Sequence, residues 1–167
     1  MTPADLLTEA LQRVHESVNR VLDGLSPDDL SQRPTPDANP IGWLVWHLTR
    51  VQDDHVADVA GTEQVWISGG FAGRFDLPFD TRDIGFGHSS EQVGQFRADA
   101  EHLADYHDAV HRQTLAYVAG LGPDDLDRVV DKRWDPPVTL GVRLVSVVND
   151  DTQHVGQAAY ARGLLGF

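Results

Sequence analysis

The sequence predicts an all-α protein, a four-helix bundle with long linkers and a long loop between its second and third helices. Three observations predict it. Four long segments repeat apolar side chains at spacings of three and four, which gathers them on one helix face. Residues that start and stop helices bracket those segments. No segment alternates apolar and polar residues as a half-buried strand does. The 167 residues are enough for one domain with a real core, residues 1–167, and too few for two comfortable ones.

The first helix opens at Thr2-Pro3-Ala4-Asp5, with Thr2 able to cap and Pro3 suited to the first helical position. Leu7, Leu11, Val14, Val18, Val21, Leu22 and Leu25 form its apolar face. His15 sits among polar neighbours and reads as solvated. Ser26-Pro27-Asp28-Asp29-Leu30 starts a short turn, and a linker with Pro34, Pro36 and Pro40 leads to the second helix. That helix is expected from about Pro40 to Ala60, with Gly61 as its stop. Residues 61–90 are rich in glycine yet carry Trp66, Ile67, Phe71, Phe75, Phe79 and Phe86. So long a loop is unusual unless it has a function, and aromatics argue against disorder. Either a lid over a pocket or a satellite apolar cluster fits it, with Arg74 or Arg82 facing the ligand in the lid case. His88 in this segment is assigned no metal role.

The third helix is expected to begin at a Ser89 or Ser90 cap and to run through Val93, Phe96, Ala100, Leu103, His107, Val110, Thr114 and Tyr117. Leu121-Gly-Pro-Asp-Asp-Leu126 echoes Leu25-Ser-Pro-Asp-Asp-Leu30, and Val148-Asn-Asp-Asp echoes Val51-Gln-Asp-Asp. These echoes describe two similar halves of helix, turn, linker and helix. Trp134-Asp135-Pro136-Pro137 lies in the second linker. Thr139 caps the fourth helix, expected to end near Gly163. Long linkers after the first and third helices permit crossovers, so an up-and-down order is not forced.

Composition narrows the function. Apolar residues make up 41% and charged residues 23%, ordinary for a soluble globular protein. Net charge is 13 − 26 = −13, which disfavours nucleic acid and anionic membranes as partners. The chain has no cysteine, so disulfides and thiolate metal sites are out and any nucleophilic sulfur must come from elsewhere. No basic, apolar leader opens the sequence, and no apolar run approaches a membrane span, so the cytoplasm is expected.

One face of the fourth helix carries Arg143, Val147, Asp150, His154 and Ala158. Asp150 and His154 are four apart, one turn of the same face. Asp151, three before His154, competes for the role. Burying such groups unpaired costs several kcal/mol, so they need partners. A buried Asp150–Arg143 or Asp150–His154 pair satisfies them. So does a divalent ion shared with His47, which stands in the second helix between Trp43, Trp46 and Leu48. Two imidazoles and one carboxylate with open positions form the pattern of a catalytic zinc site, and suit iron or nickel as well. His107-xxx-His111 is a rival pair; His107 reads better as a core histidine, because His111 drifts off the apolar stripe.

The segments WHLTRVQDD, RWDPPVTLGVRLVSVVNDD and QHVGQAAYARGLL resemble the DinB-like superfamily. More narrowly they are similar to its actinobacterial-type branch, related to mycothiol-dependent maleylpyruvate isomerase and to thiol S-transferases. The resemblance covers nearly the whole chain. It implies a four-helix bundle with one metal held by three side chains, here His47, Asp150 and His154. Many relatives carry three histidines, and the isomerase has a glutamate where this chain has the shorter Asp150. The resemblance also implies a thiol cofactor, mycothiol or similar, presented as thiolate to an electrophile. A metal-dependent S-transferase or isomerase acting on a small thiol and an electrophile is therefore the leading expectation, with zinc favoured and nickel or iron as alternatives. A non-catalytic metal-binding stress protein and a metal-dependent hydrolase are the competing ones. A homodimer is compatible with all three.

Overall fold

The computed structural model describes residues 1–167. Its helices are α1 (Pro3–Leu22), α2 (Pro27–Ser31), α3 (Ile41–Ala60), α4 (Val65–Ser68), α5 (Phe71–Phe75), α6 (Ser90–Gln95), α7 (Ala100–Val118) and α8 (Leu140–Leu165). A 3₁₀ turn at Pro123–Asp127 precedes two short antiparallel strands, β1 (Val129–Asp131) and β2 (Val138–Thr139). The long helices α1, α3, α7 and α8 form the bundle. Their neighbours are α3 with α8 and α7, and α1 with α8 and α7. Helices α1 and α3 therefore stand on a diagonal, as do α7 and α8, and the proline-bearing linkers make those crossings.

The caps behave as local chemistry dictates. Thr2 accepts from the Asp5 amide and Asp5 accepts from the Thr2 amide, with Pro3 in the first turn. Thr139 caps α8. Gly61 ends α3 with a left-handed backbone. The helix α8 continues to Leu165, two residues beyond the expected Gly163, and stops at Gly166.

The repeated hexapeptide has a structural counterpart. Asp29 and Asp125 each accept the amide three residues earlier, from Ser26 and Gly122. The leucine that ends each copy then packs its carbonyl against a glycine at the start of the next long helix. A Cβ on Gly42 would lie 3.1 Å from the Leu30 oxygen, and one on Gly141 would lie 3.3 Å from the Leu126 oxygen. Small residues at both points let turn and helix approach closely.

The third helix is not continuous. The chain leaves helical geometry after Gln95, and Asp99 starts α7 by accepting the His102 amide at 2.7 Å. Phe96 is fully buried, 5.6 Å from the Trp46 ring and against Gly42. Sinking this ring into the core and capping at Asp99 outweigh the few helical bonds that continuity would add. The apolar stripe holds from Leu103 onward.

The core is centred on α3, where every residue from Ile41 to Asp53 is buried. Several of its polar members find partners. Gln52 donates to Thr114, and Arg50 donates to Gln64 and to the Asp83 carbonyl. Asp53 accepts from the amides of Val65 and Trp66 and from the Tyr106 hydroxyl, all at 2.8–2.9 Å. These bonds pin the segment after α3 back onto the bundle. Trp66, Phe71 and Phe75 lie 5.0–6.0 Å from the Tyr106 ring and belong to the core. They form a packed cluster on α7, and Trp66 with Phe79 also lines a small cavity beside Trp46. Arg74 pairs with Asp105 and Arg82 is almost fully exposed, so neither is held in a ligand site.

Candidate metal centre

His47, Asp150 and His154 converge. One potential ligand atom from each lies within 4.8 Å of the other two. Ligands around one small divalent ion with bonds of about 2.1 Å stand roughly 3–4 Å apart, so a small contraction would close the site. His47 comes from the second turn of α3 and the other two from the middle of α8, across the largest helix interface in the bundle. The one-turn spacing of Asp150 and His154 puts both on the α3 side.

The surroundings orient the rings. The Nδ1 of His47 bonds the Ile84 carbonyl, and the ring stacks on Trp43 with centroids 4.7 Å apart. The Nδ1 of His154 bonds the Asp150 carbonyl at 2.9 Å. A carbonyl can only accept, so both histidines carry the Nδ1 proton and present Nε2 as a lone pair. That is the usual arrangement of imidazoles that ligate metal. The two rings meet edge to face at 4.7 Å. Asp150 Oδ2 is buried, and its contact is with His154 Nδ1 at 3.2 Å. A buried carboxylate and two imidazoles whose ligand atoms lie this close together are what a divalent cation would satisfy. Asp150 and His154 remain partly exposed, so the triad keeps an open side.

The protonation states are set by environment. Burial lowers the His47 pKa, and the positive charge a protonated His154 would carry adds to it, against the Ile84 bond and Asp150. Burial also pulls on His154, but the bonds and charge of Asp150 overcome it and the net shift is upward. His47 is thus neutral over a wide range, whereas His154 competes with protons for a metal.

Several sequence alternatives fall away here. Asp151 points into the protein and is fully buried, with both oxygens unbonded; burial, and next the charge of Asp150, raise its pKa well above the ordinary value. It is not part of the converging group. Arg143 does not pair with Asp150. It bonds His55 Nδ1 at 3.2 Å and approaches Asp131 at 3.4 Å. The Asp150–His154 contact is present. His88 uses both ring nitrogens, accepting from Trp43 Nε1 and contacting Asp83 at 2.8 Å.

His107 and His111 also form no site. His15 is not solvated: it stacks on His111 at 4.3 Å and near His107 at 5.5 Å. His111 is buried too, contrary to its drift off the stripe, because α1 covers that side of α7.

Sequence reasoning missed the loop that orients His47. Asp83, Ile84 and Gly85 fold back from the far end of α3 to reach it. Gly85 has a left-handed backbone, φ +86°, and a Cβ there would lie 2.9–3.0 Å from Trp46, His47 and Trp43. The only available signal was the spacing of Gly85 and Gly87 in an otherwise aromatic stretch.

A family model described as Mycothiol-S-transferase matches residues 6–166. A solved structure of a conserved protein from Enterococcus faecalis is 33% identical and superposes with a TM-score of 0.89, covering 98% of this chain and 97% of that one. A DinB-like protein from Bacillus cereus ATCC 10987 is 18% identical with a TM-score of 0.60, covering 96% and 91%; that likeness shows the fold. No curated protein matches the chain.

Proposed function

The chain belongs to the Mycothiol-S-transferase family, and from that premise we propose that it is a metal-dependent enzyme transferring a low-molecular-weight thiol, mycothiol or a close analogue, to an electrophile. The observation that carries this reading is the convergence of two imidazoles, each held through Nδ1 by a backbone carbonyl, with the Asp150 carboxylate within 4.8 Å. His47, Asp150 and His154 would hold the ion. Zinc suits this donor set best, and nickel or iron fits it too. A divalent ion bound there supplies the Lewis acidity that lowers a thiol pKa toward neutrality.

The rest falls to the chain. The Ile84 and Asp150 carbonyls fix the two rings. Trp43 and Gly85 pack on His47 and keep water from its buried side. The half-exposed Asp150 side leaves room for sulfur to enter and for its proton to leave to solvent. One S–H bond is lost and one C–S bond forms, while the electrophile's leaving group departs with the bonding pair. With no cysteine in the chain, that sulfur belongs to the substrate. No helix is long and apolar enough to cross a membrane, and a cytoplasmic enzyme fits a thiol substrate.

The test joins elemental analysis of the purified protein to conjugation assays with several thiols. The expected result is about one divalent ion per chain and turnover with mycothiol. A full metal complement with no turnover of any thiol would favour a purely structural ion instead.

A further inference from the structure

The seam between α3 and α8 extends beyond the triad in both directions, and its two ends differ in chemistry. Toward the start of α3 lies a hollow of about 260 Å³ formed by Pro34, Leu44, Tyr160, Ala161 and Leu164 among others. Toward the end of α3 lies a basin of about 380 Å³ lined by Asp54, His55, Asp58, Gln64, Arg133 and Arg143. A second hollow of about 310 Å³ shares His55, Arg133 and Arg143 and continues to Trp134 and Ser146. We propose that this polar double basin holds the hydroxyl-rich end of the thiol whose sulfur enters the His47, Asp150 and His154 group. The proposal rests on the transferase reading above.

Position supports it first. Arg143 precedes Asp150 by seven residues, two turns on the same helix face, or about 10 Å along the axis. His55 follows His47 by eight on α3. Arg143 and His55 therefore stand about two turns from the triad along α8 and α3, a distance that a sugar-sized spacer between sulfur and ring hydroxyls would cover.

Charge supports it next. The two arginines of the basin are already matched. Arg133 bonds Asp131 at 2.8 and 3.0 Å, and Arg143 approaches the same carboxylate. Asp54 and Asp58 add negative charge. An anionic ligand gains little there, whereas a neutral polyol meets both donors and acceptors. Arg143 keeps N–H groups beyond its bonds to His55 and Asp131. His55 Nδ1 accepts from Arg143, which leaves its Nε2–H as a donor. Asp58 offers acceptors. Trp134 is two-thirds exposed on the β1–β2 turn and offers an apolar face to the C–H side of a ring. The hollow at the other end offers few such partners and would suit an apolar electrophile better.

Calorimetric titration of the metal-loaded full chain separates the possibilities. The probes are mycothiol, its glucosamine–inositol fragment without cysteine, and N-acetylcysteine without the sugar. Arg143→Ala, His55→Gln and Trp134→Ala should each weaken mycothiol and the sugar fragment, by about ten-fold for Arg143→Ala. N-acetylcysteine affinity and metal content should stay unchanged. Equal binding of mycothiol and N-acetylcysteine by the unaltered protein would overturn the proposal. So would equal weakening of both thiols, or loss of sugar binding only on Leu44→Ser. If Arg143→Ala does not fold, the exposed Trp134→Ala decides. Sugar binding that is lost in the variants while no thiol is ever turned over would retain the basin and defeat the transferase reading.

Discussion

The bundle holds two groups built around histidine, and only one is fit for a metal. In the first, His47 and His154 come from two helices and each is turned by a backbone carbonyl on Nδ1, with Asp150 beside them. In the second, His15, His107 and His111 lie between α1 and α7 as a stack. The rings of His15 and His111 are 4.3 Å apart and within 7° of parallel. His107 bonds Thr49 through Nδ1, and His111 Nε2 meets Gln12. Each ring of the stack leaves one buried nitrogen unbonded, namely His15 Nδ1, His107 Nε2 and His111 Nδ1. Parallel rings aim their lone pairs side by side rather than at one point. The nearest carboxylate, Asp108, is 3.8 Å from His15 and half exposed. Histidine count therefore says little; convergence and a carboxylate make the difference.

The sharpest way to break this contrast is to delete ligands. His47→Ala or His154→Ala should abolish stoichiometric metal binding, a loss well beyond the roughly 10–100-fold that a supporting residue costs. Elemental analysis after dialysis reads it. Full metal content in both variants would remove the site as described.

Gly85→Ala should come next. The added methyl has no room against Trp46 and His47, and the backbone there is left-handed. Shifting Ile84 away from His47 should lower metal affinity by about 10–100-fold while His47 itself remains. A competition titration with a chelator measures it, and unchanged affinity would show that the carbonyl contributes nothing.

Acid should separate the two groups in order. Because the His154 pKa is raised, protons compete for it from above the ordinary value near 6.5, so metal is released first as pH falls. The stack behaves oppositely. Burial and the neighbouring His15 lower His107 to about 3, and burial and His15 lower His111 to about 4. Both are neutral in the fold, so their stabilisation is intact above the unfolded value of 6.5. It is lost as pH falls from there through the folded values, because only the unfolded chain takes up protons. Metal content and helical signal followed together should show metal leaving at the higher pH. Simultaneous loss would mean that the ion holds the fold.

The smallest effect is expected from His15→Ala. It removes the stack on His111 and a bond to Asn19. About 1 kcal/mol of stability should go, or about 2–4 °C in melting temperature. Metal content should not change; a loss would tie the stack to the centre.

Much of this was legible in advance at the level of single helices. The caps at Thr2 and Thr139, the stop at Gly61 and the four apolar stripes depend on neighbours within a turn or two. So does the spacing that puts Asp150 and His154 on one face. The family resemblance supplied His47 as their partner, which spacing alone left open. The break at Phe96 was not legible, because it depends on a pocket formed by Trp46 and Gly42 from another helix. The assignment of Trp66, Phe71 and Phe75 to the core needed Tyr106, some 30–40 residues away in sequence.

The sequence by itself determined the four long helical segments, the caps at Thr2 and Thr139, the stop at Gly61, the two matching half-turns and the face that carries Asp150 and His154, since each follows from contacts a few residues apart. Only the tertiary structure decided that Asp150 rather than Asp151 faces His47, that the Ile84 carbonyl turns that ring, and that His15, His107 and His111 stack. Those outcomes depend on how each helix is rotated against its neighbours. A rotation of one residue's width, about 100°, exchanges Asp150 for the buried Asp151, and no local pattern fixes it.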